Sequence, residues 1–175
     1  MGIYPDCPVI NRKIEVGGLS NLQLIHKLKQ HSVLMNELGE RLLSDDRFPT
    51  SNTKYSVNTV ELTVGDLAFP DGAALPQIFE RASELGLEAC PLELGPHLRI
   101  QYLDQPEGNT KNLSQQHQAP LGSITIASTI ISEDDNFPKG FYLRKINGKL
   151  WLRGYTADYL HVWNPDDHFI FRAFP

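Results

Sequence analysis

Residues 141–153 read FYLRKINGKLWLR, two alternating runs joined by Asn147-Gly148. Both turn residues tolerate positive φ, which a tight two-residue hairpin requires. The spacing therefore predicts strands Phe141–Ile146 and Leu150–Arg153 folded back on each other. The neighbouring sequence is also β-rich. Residues 123–131 hold Ile124, Ile126, Thr129, Ile130 and Ile131, and His168 to Phe174 reads as a last strand. The C-terminal third is thus expected to be almost all β.

Upstream, Leu98-Arg99-Ile100-Gln101-Tyr102 alternates and is expected to form a strand, as is the stretch 55–64, rich in β-branched residues. Phe69-Pro70-Asp71-Gly72 reads as a turn. Leu75, Ile78, Phe79, Ala82 and Leu85 then recur at helical spacing. Pro76 falls in the first turn, where its missing N–H is harmless, and Gly86 stands past the end. The polar run from Asp104 to Pro120 has the composition of a disordered segment or loose surface loop.

Residues 1–18 look irregular, punctuated by Pro5, Pro8 and Gly17-Gly18. Ser20 and Gln23 have capping-box spacing, and Leu19 can staple against Leu24. Leu22, Leu24, Ile25 and Leu28 carry this helix to Gln30. A second begins at Asn36, turns Leu38, Leu42 and Leu43 inward, and ends by Asp45-Asp46. A DNA-reading second helix would expose basic and amide side chains. Glu37, Glu40 and Arg41 do not supply that face, so the pair reads as a packing or docking element.

The expected fold class is α+β. Residues 1–18 form an irregular segment, 19–52 a small N-terminal helical pair, and 53–175 an α+β domain folded as one unit with the pair. One central amphipathic helix packs on a mostly antiparallel sheet with a C-terminal hairpin, giving five or six strands and three helices in all.

Composition fits a soluble globular chain, with 41% hydrophobic and 21% charged residues among 175. A chain of this length buries roughly 70% of its unfolded surface without a metal or disulfide staple. The net charge of −5 provides no basic footprint, so no nucleic-acid partner is expected. Cys7 and Cys90 are too few for a disulfide framework or zinc set. Cys90, between a helix and Pro91, reads as a small buried apolar residue. No run resembles a signal peptide or approaches the ~20 apolar residues of a membrane span. Neither cofactor nor metal is expected, and the expected location is cytoplasmic.

No phosphate loop, nucleophile elbow, zinc-protease pair or kinase signature occurs. The six histidines (26, 31, 97, 117, 161 and 168) are dispersed, and Asp166-Asp167 reads as turn chemistry. The densest polar grouping is Glu93, His97, Arg99, Gln101, Tyr102 and Asp104. On a strand, His97, Arg99 and Gln101 would share one face, where Arg can fork onto a carboxylate or phosphate. An open sheet face turned to water would look the same. The hairpin offers a second grouping, in which Trp151 shares a face with Arg153, and Tyr142 with Arg144.

The strings VGDLAFPDG and IFERASELGLEACPLELGPHLRIQYLDQPEG, with the closing WNPDDHFIF, resemble an uncharacterised bacterial protein family. Its members carry descriptions such as hypothetical protein or, occasionally, helicase. The resemblance covers about residues 20–175 and implies no catalytic or binding residue. It implies variation at the position of His97, a pattern that Arg99, Gln101 and Asp104 fit, and a capping Thr where this chain has Ala74. A helicase motor needs a phosphate loop and two lobes, which this sequence does not contain.

The leading functional expectation is a non-catalytic binding or regulatory module whose partner is another protein. The alternative is a small-ligand-binding protein or enzyme. Its site would gather Arg99, Gln101 and Tyr102, with Asp104, Trp151 and Arg153 as further candidates.

Overall fold

The computed structural model describes residues 2–107, 122–158 and 160–174. In chain order the elements are strand β1 (Ile10–Val16), helix α1 (Asn21–Gln30), strand β2 (Leu34–Met35), helix α2 (Glu37–Ser44) and strand β3 (Tyr55–Thr63). A short 3₁₀ turn (Gly65–Leu67), strand β4 (Ala73–Ala74), helix α3 (Leu75–Glu84) and helix α4 (Leu94–Gln101) follow. Strands β5 (Ile124–Ile126), β6 (Gly140–Ile146), β7 (Lys149–Tyr155), β8 (Val162–Trp163) and β9 (His168–Arg172) complete the described fold. The class is α+β.

Seven strands form one sheet in the order β1-β3-β9-β5-β6-β7-β2, antiparallel except at β5–β9 and β2–β7; β4 and β8 form a small second sheet. The hairpin closes as its sequence requires, with Asn147 at φ 51° and Gly148 at φ 77°. Alternation along the strands gives the large sheet two apolar faces. On one, Ile14, Val57, Ile124, Leu143, Leu152 and Ile170 meet Leu24 and Leu28 of α1, Leu42 and Leu43 of α2, and Leu94 and Leu98 of α4. On the other, Val60, Leu62, Phe169 and Phe171 meet Ile78 and Ala82 of α3 and Trp163 of β8. Each Val, Leu, Ile or Phe among them, taken fully out of water, contributes roughly 1.5–3 kcal/mol.

Helix α1 starts on the capping box, with Ser20 Oγ accepting from Gln23 N and Gln23 Oε1 accepting from Ser20 N. Helix α2 starts on Asn36, whose Oδ1 accepts from Gly39 N at 2.8 Å. Between them β2 pairs parallel with β7 (Leu34↔Trp151), so this stretch is stitched to the hairpin.

Four expectations change. Residues 1–18 are not irregular throughout, since 10–16 form β1. Ile14 and Val16 point inward there, but Arg12 interrupts the apolar alternation because it meets the buried Glu61 at 2.7 Å. Residues 98–102 belong to helix α4 and its C-terminal cap, not to a strand. The alternation of Leu98, Ile100 and Tyr102 masked a buried helix in which Leu94 and Leu98 are one turn apart and Pro96 lies in the first turn. Gly95 brings α4 so close to β6 that an added Cβ would lie 2.5 Å from the Phe141 ring. The β-rich stretch 123–131 narrows to Ile124–Ile126 plus a bridge from Ser128 to Cys90. The described residues contain nine strands and four α-helices, and helices cover both faces of the large sheet.

The polar run expected from Asp104 to Pro120 lies outside the described residues from Gly108 onward, as does His117. No helix among the described residues is long and apolar enough to cross a membrane.

Candidate functional site

The first polar grouping disperses once α4 is a helix. Arg99 is fully buried, and burial lowers its guanidinium pKa to about 10. It donates to Gln105 Oε1 at 2.7 Å, to Trp151 O at 3.2 Å and to Tyr102 O, while its Nε has no partner among the described residues. Gln105, which the sequence reading missed, is also buried and donates to Gly122 O and Leu143 O. This network pins the end of α4 to the hairpin and presents no charge outward.

Gln101 turns instead to the edge of β1, accepting from Glu15 N at 3.1 Å and donating to Glu15 O at 2.7 Å. One turn earlier on α4, His97 Nε2 accepts from Gly17 N at 3.1 Å. The Tyr102 ring lies 4.4 Å under the guanidinium of Arg12, and Asp104 is exposed. Arg99, Gln101, Tyr102 and Asp104 therefore do not converge on a common point.

The second grouping is assembled by the hairpin. The register sets Tyr142 opposite Arg153 and Arg144 opposite Trp151, and extends across β2 to place Leu34 beside Trp151. These five side chains share one sheet face. Leu143 and Leu152, between them in sequence, point to the other face, where α2 and α4 pack. Helix α3 covers the second face farther along, over β3 and β9, where Phe79 meets Phe171 edge-on.

Within this strip Arg153 is held in place. Its Nε donates to Tyr142 Oη at 2.7 Å, and its guanidinium lies 4.9 Å from the Trp151 ring centre. Such stacking contributes about 0.5–1 kcal/mol at an exposed site and orients the charge. Arg144 has no hydrogen-bond, ion-pair or ring partner among the described residues. The hairpin 140–155 carries Arg144, Lys145, Lys149 and Arg153 with no Asp or Glu. Glu107 approaches it from outside, accepting from Gly148 N at the turn. Leu34 is 36% exposed, whereas Trp151, Tyr142 and both arginines are partly buried.

The result is an apolar and aromatic strip with one guanidinium held in place, that of Arg153, and a second, that of Arg144, without a partner among the described residues. It can fork onto carboxylates while covering an apolar side chain. Period-two alternation put Trp151, Arg153, Tyr142 and Arg144 within reach of the sequence reading. Leu34 carried no such signal, because its strand has two residues and pairs with a distant one.

Among the described residues no three His, Cys, Asp or Glu side chains gather as a metal-ligand set. No family model, curated protein or solved structure matches the chain.

Proposed function

We propose that the protein is a non-catalytic binding module that docks an acidic segment of another protein on the strip formed by Leu34, Trp151, Arg144, Arg153 and Tyr142. One observation carries the reading. Arg144 stands without a partner among the described residues, opposite Trp151, in a hairpin that contains no acidic residue. Trp, Tyr and Arg are the residue types that dominate binding energy at protein interfaces, because they combine large contact area with oriented polar groups. The net charge of the whole chain is −5, so this local excess of positive charge runs against the background. A reducing cytoplasm suits the free thiols of Cys7 and Cys90.

A small-ligand site around Arg99, Gln101 and Tyr102 is less well supported, because the Arg99 and Gln101 side chains serve backbone groups of the protein itself and the Tyr102 ring is taken up by Arg12.

The indole N–H resonance of Trp151 provides a direct test, with the buried Trp163 as internal reference. Titration with the peptide Glu-Glu-Phe-Glu-Glu is expected to shift Trp151 saturably, and Arg144→Glu to abolish the shift. Oligothymidylate is the comparison, since aromatic and arginine side chains also stack bases. An unmoved Trp151, or tighter binding of oligothymidylate than of the peptide, contradicts the proposal.

A further inference from the structure

The chain leaves β1 through Gly17 and Gly18, both at positive φ (86° and 81°). A Cβ on Gly17 would lie 2.2 Å from Thr53 O, and one on Gly18 2.9 Å from Lys54 Cγ. Only glycine lets the backbone turn so close to the start of β3. Beside this turn is a hollow of about 240 Å³, walled by the end of β1, Lys27 of α1, His97 and Gln101 of α4, and Lys54. It lies at the β1 edge of the sheet, whereas the arginine–aromatic strip lies toward the β7–β2 edge.

The polar groups of the hollow divide into engaged and available. The Gln101 amide is engaged with the backbone of Glu15, and the Glu15 carboxylate accepts from Ser56 Oγ at 2.7 Å. His97 is 7% exposed, and its Nε2 accepts from Gly17 N. A neutral imidazole that accepts at one nitrogen carries its proton on the other. Nδ1–H is therefore a donor, and it has no hydrogen-bond partner among the described residues. Lys27 and Lys54 form no ion pair among the described residues. His97, with its Nδ1–H uncommitted, and two lysines without an ion pair thus line one small space.

We propose that this hollow binds a small tetrahedral oxyanion, a phosphate or phosphoryl group, held by His97 Nδ1–H and by the ammonium groups of Lys27 and Lys54. Three donors from three separate stretches of the chain match the several acceptor oxygens of a tetrahedral anion better than the two of a carboxylate. The volume falls below the roughly 300–1,000 Å³ of sites for drug-sized ligands, which restricts the guest to one such group. Neutral His97 fits this role as a donor that needs no charge of its own, and burial, with Lys27 nearby, keeps the ring neutral.

Titration with inorganic phosphate, followed through the amide resonances of Gly17 and Gly18 and the ring of His97, tests the site. Saturable shifts centred on these residues are expected, with affinity about tenfold lower for Lys54→Gln and for Lys27→Gln. Both lysines are exposed, so these variants keep the fold, and an unchanged amide spectrum elsewhere verifies that. A parallel titration with phosphoserine distinguishes a free anion from a phosphoryl group on an organic carrier by which of the two binds more tightly. Shifts reproduced by sodium chloride at matched ionic strength, shifts that do not saturate, or lysine variants that bind as the wild type does would overturn the proposal. None of these outcomes depends on the docking strip.

Discussion

Gln101 stands against Glu15 as the next strand of the sheet would, its side-chain amide accepting from the Glu15 N–H and donating to the Glu15 carbonyl. Asn36 repeats the arrangement on the other side of the sheet, where β7 runs past the two-residue β2 and so becomes an edge, accepting from Gly154 N at 2.8 Å and donating to Gly154 O at 3.0 Å. Unpaired backbone groups on a strand edge are a template for pairing with other chains. Here one carboxamide at each edge occupies such a template. Gln101→Ala is expected to cost about 1 kcal/mol in urea denaturation, since each exposed hydrogen bond is worth roughly 0.5–1.5 kcal/mol. It is also expected to make sedimentation concentration-dependent. A variant that stays monomeric at every concentration contradicts the edge-closing role.

At the Asn36 edge the backbones approach more closely. A Cβ on Gly154 would lie 2.7 Å from Gly39 N and from Leu38 C, whereas one on Gly39 would meet its nearest atoms at 3.0–3.2 Å. Gly154→Ala is therefore expected to lose about 1–3 kcal/mol, the usual cost of overpacking, and Gly39→Ala less. Equal melting temperatures for the two variants would contradict this order.

Arg99 separates a structural role from a ligand-binding one. Its removal leaves Gln105 Oε1 and two backbone carbonyls short of a donor in the interior. Arg99→Ala is expected to destabilise the fold by about 3–5 kcal/mol. Arg99→Lys keeps the charge but loses the fork, and should fall between wild type and Ala. A stable Arg99→Ala protein would revive the reading of Arg99 as a ligand residue.

The pH dependence of stability isolates His97. Its pKa in the fold is lowered to about 4 by burial, with Lys27 adding to the effect, from an ordinary 6.5. A group with a depressed pKa that is neutral in the fold contributes fully above pH 6.5 and loses its contribution as pH falls through 4. At the acid limit the loss is on the order of 3 kcal/mol. His168 works in the opposite sense. Its bond to Glu61 raises its pKa, so that contribution is present below 6.5 and fades as pH rises. Comparing wild type with His97→Gln at pH 7 and pH 4 removes the shared His168 effect. A smaller acid loss in His97→Gln is expected, and identical slopes would contradict it.

The legible parts of this fold were those fixed by local rules. Asn147-Gly148 dictates its turn, Ser20 and Gln23 cap α1 across three residues, and Pro76 and Gly86 bracket α3. The hidden parts depend on distant partners. Arg12 breaks the pattern of β1 for the sake of Glu61, far along the chain, and β2 exists because Leu34 meets Trp151. In α4, Leu98, Ile100 and Tyr102 satisfy a strand period and a helix buried nearly all round. That single ambiguity sent Arg99 and Gln101 to a common face in the sequence reading. On the helix they diverge, Arg99 to the core and Gln101 to Glu15. Trp151 and Arg153 stayed together because strand alternation alone decides their side.

Photo-crosslinking tests the docking strip most directly. Leu34→p-benzoylphenylalanine places the probe beside Trp151 while leaving the arginines and aromatic rings intact, and the same probe at the exposed Glu80 on α3 reports background. The prediction is an adduct at position 34 to an acidic segment of another protein, absent at position 80 and lost when Arg144 and Arg153 are both changed to Glu. Adducts equal at the two positions, or an adduct at position 34 that survives the double charge reversal, would contradict the account.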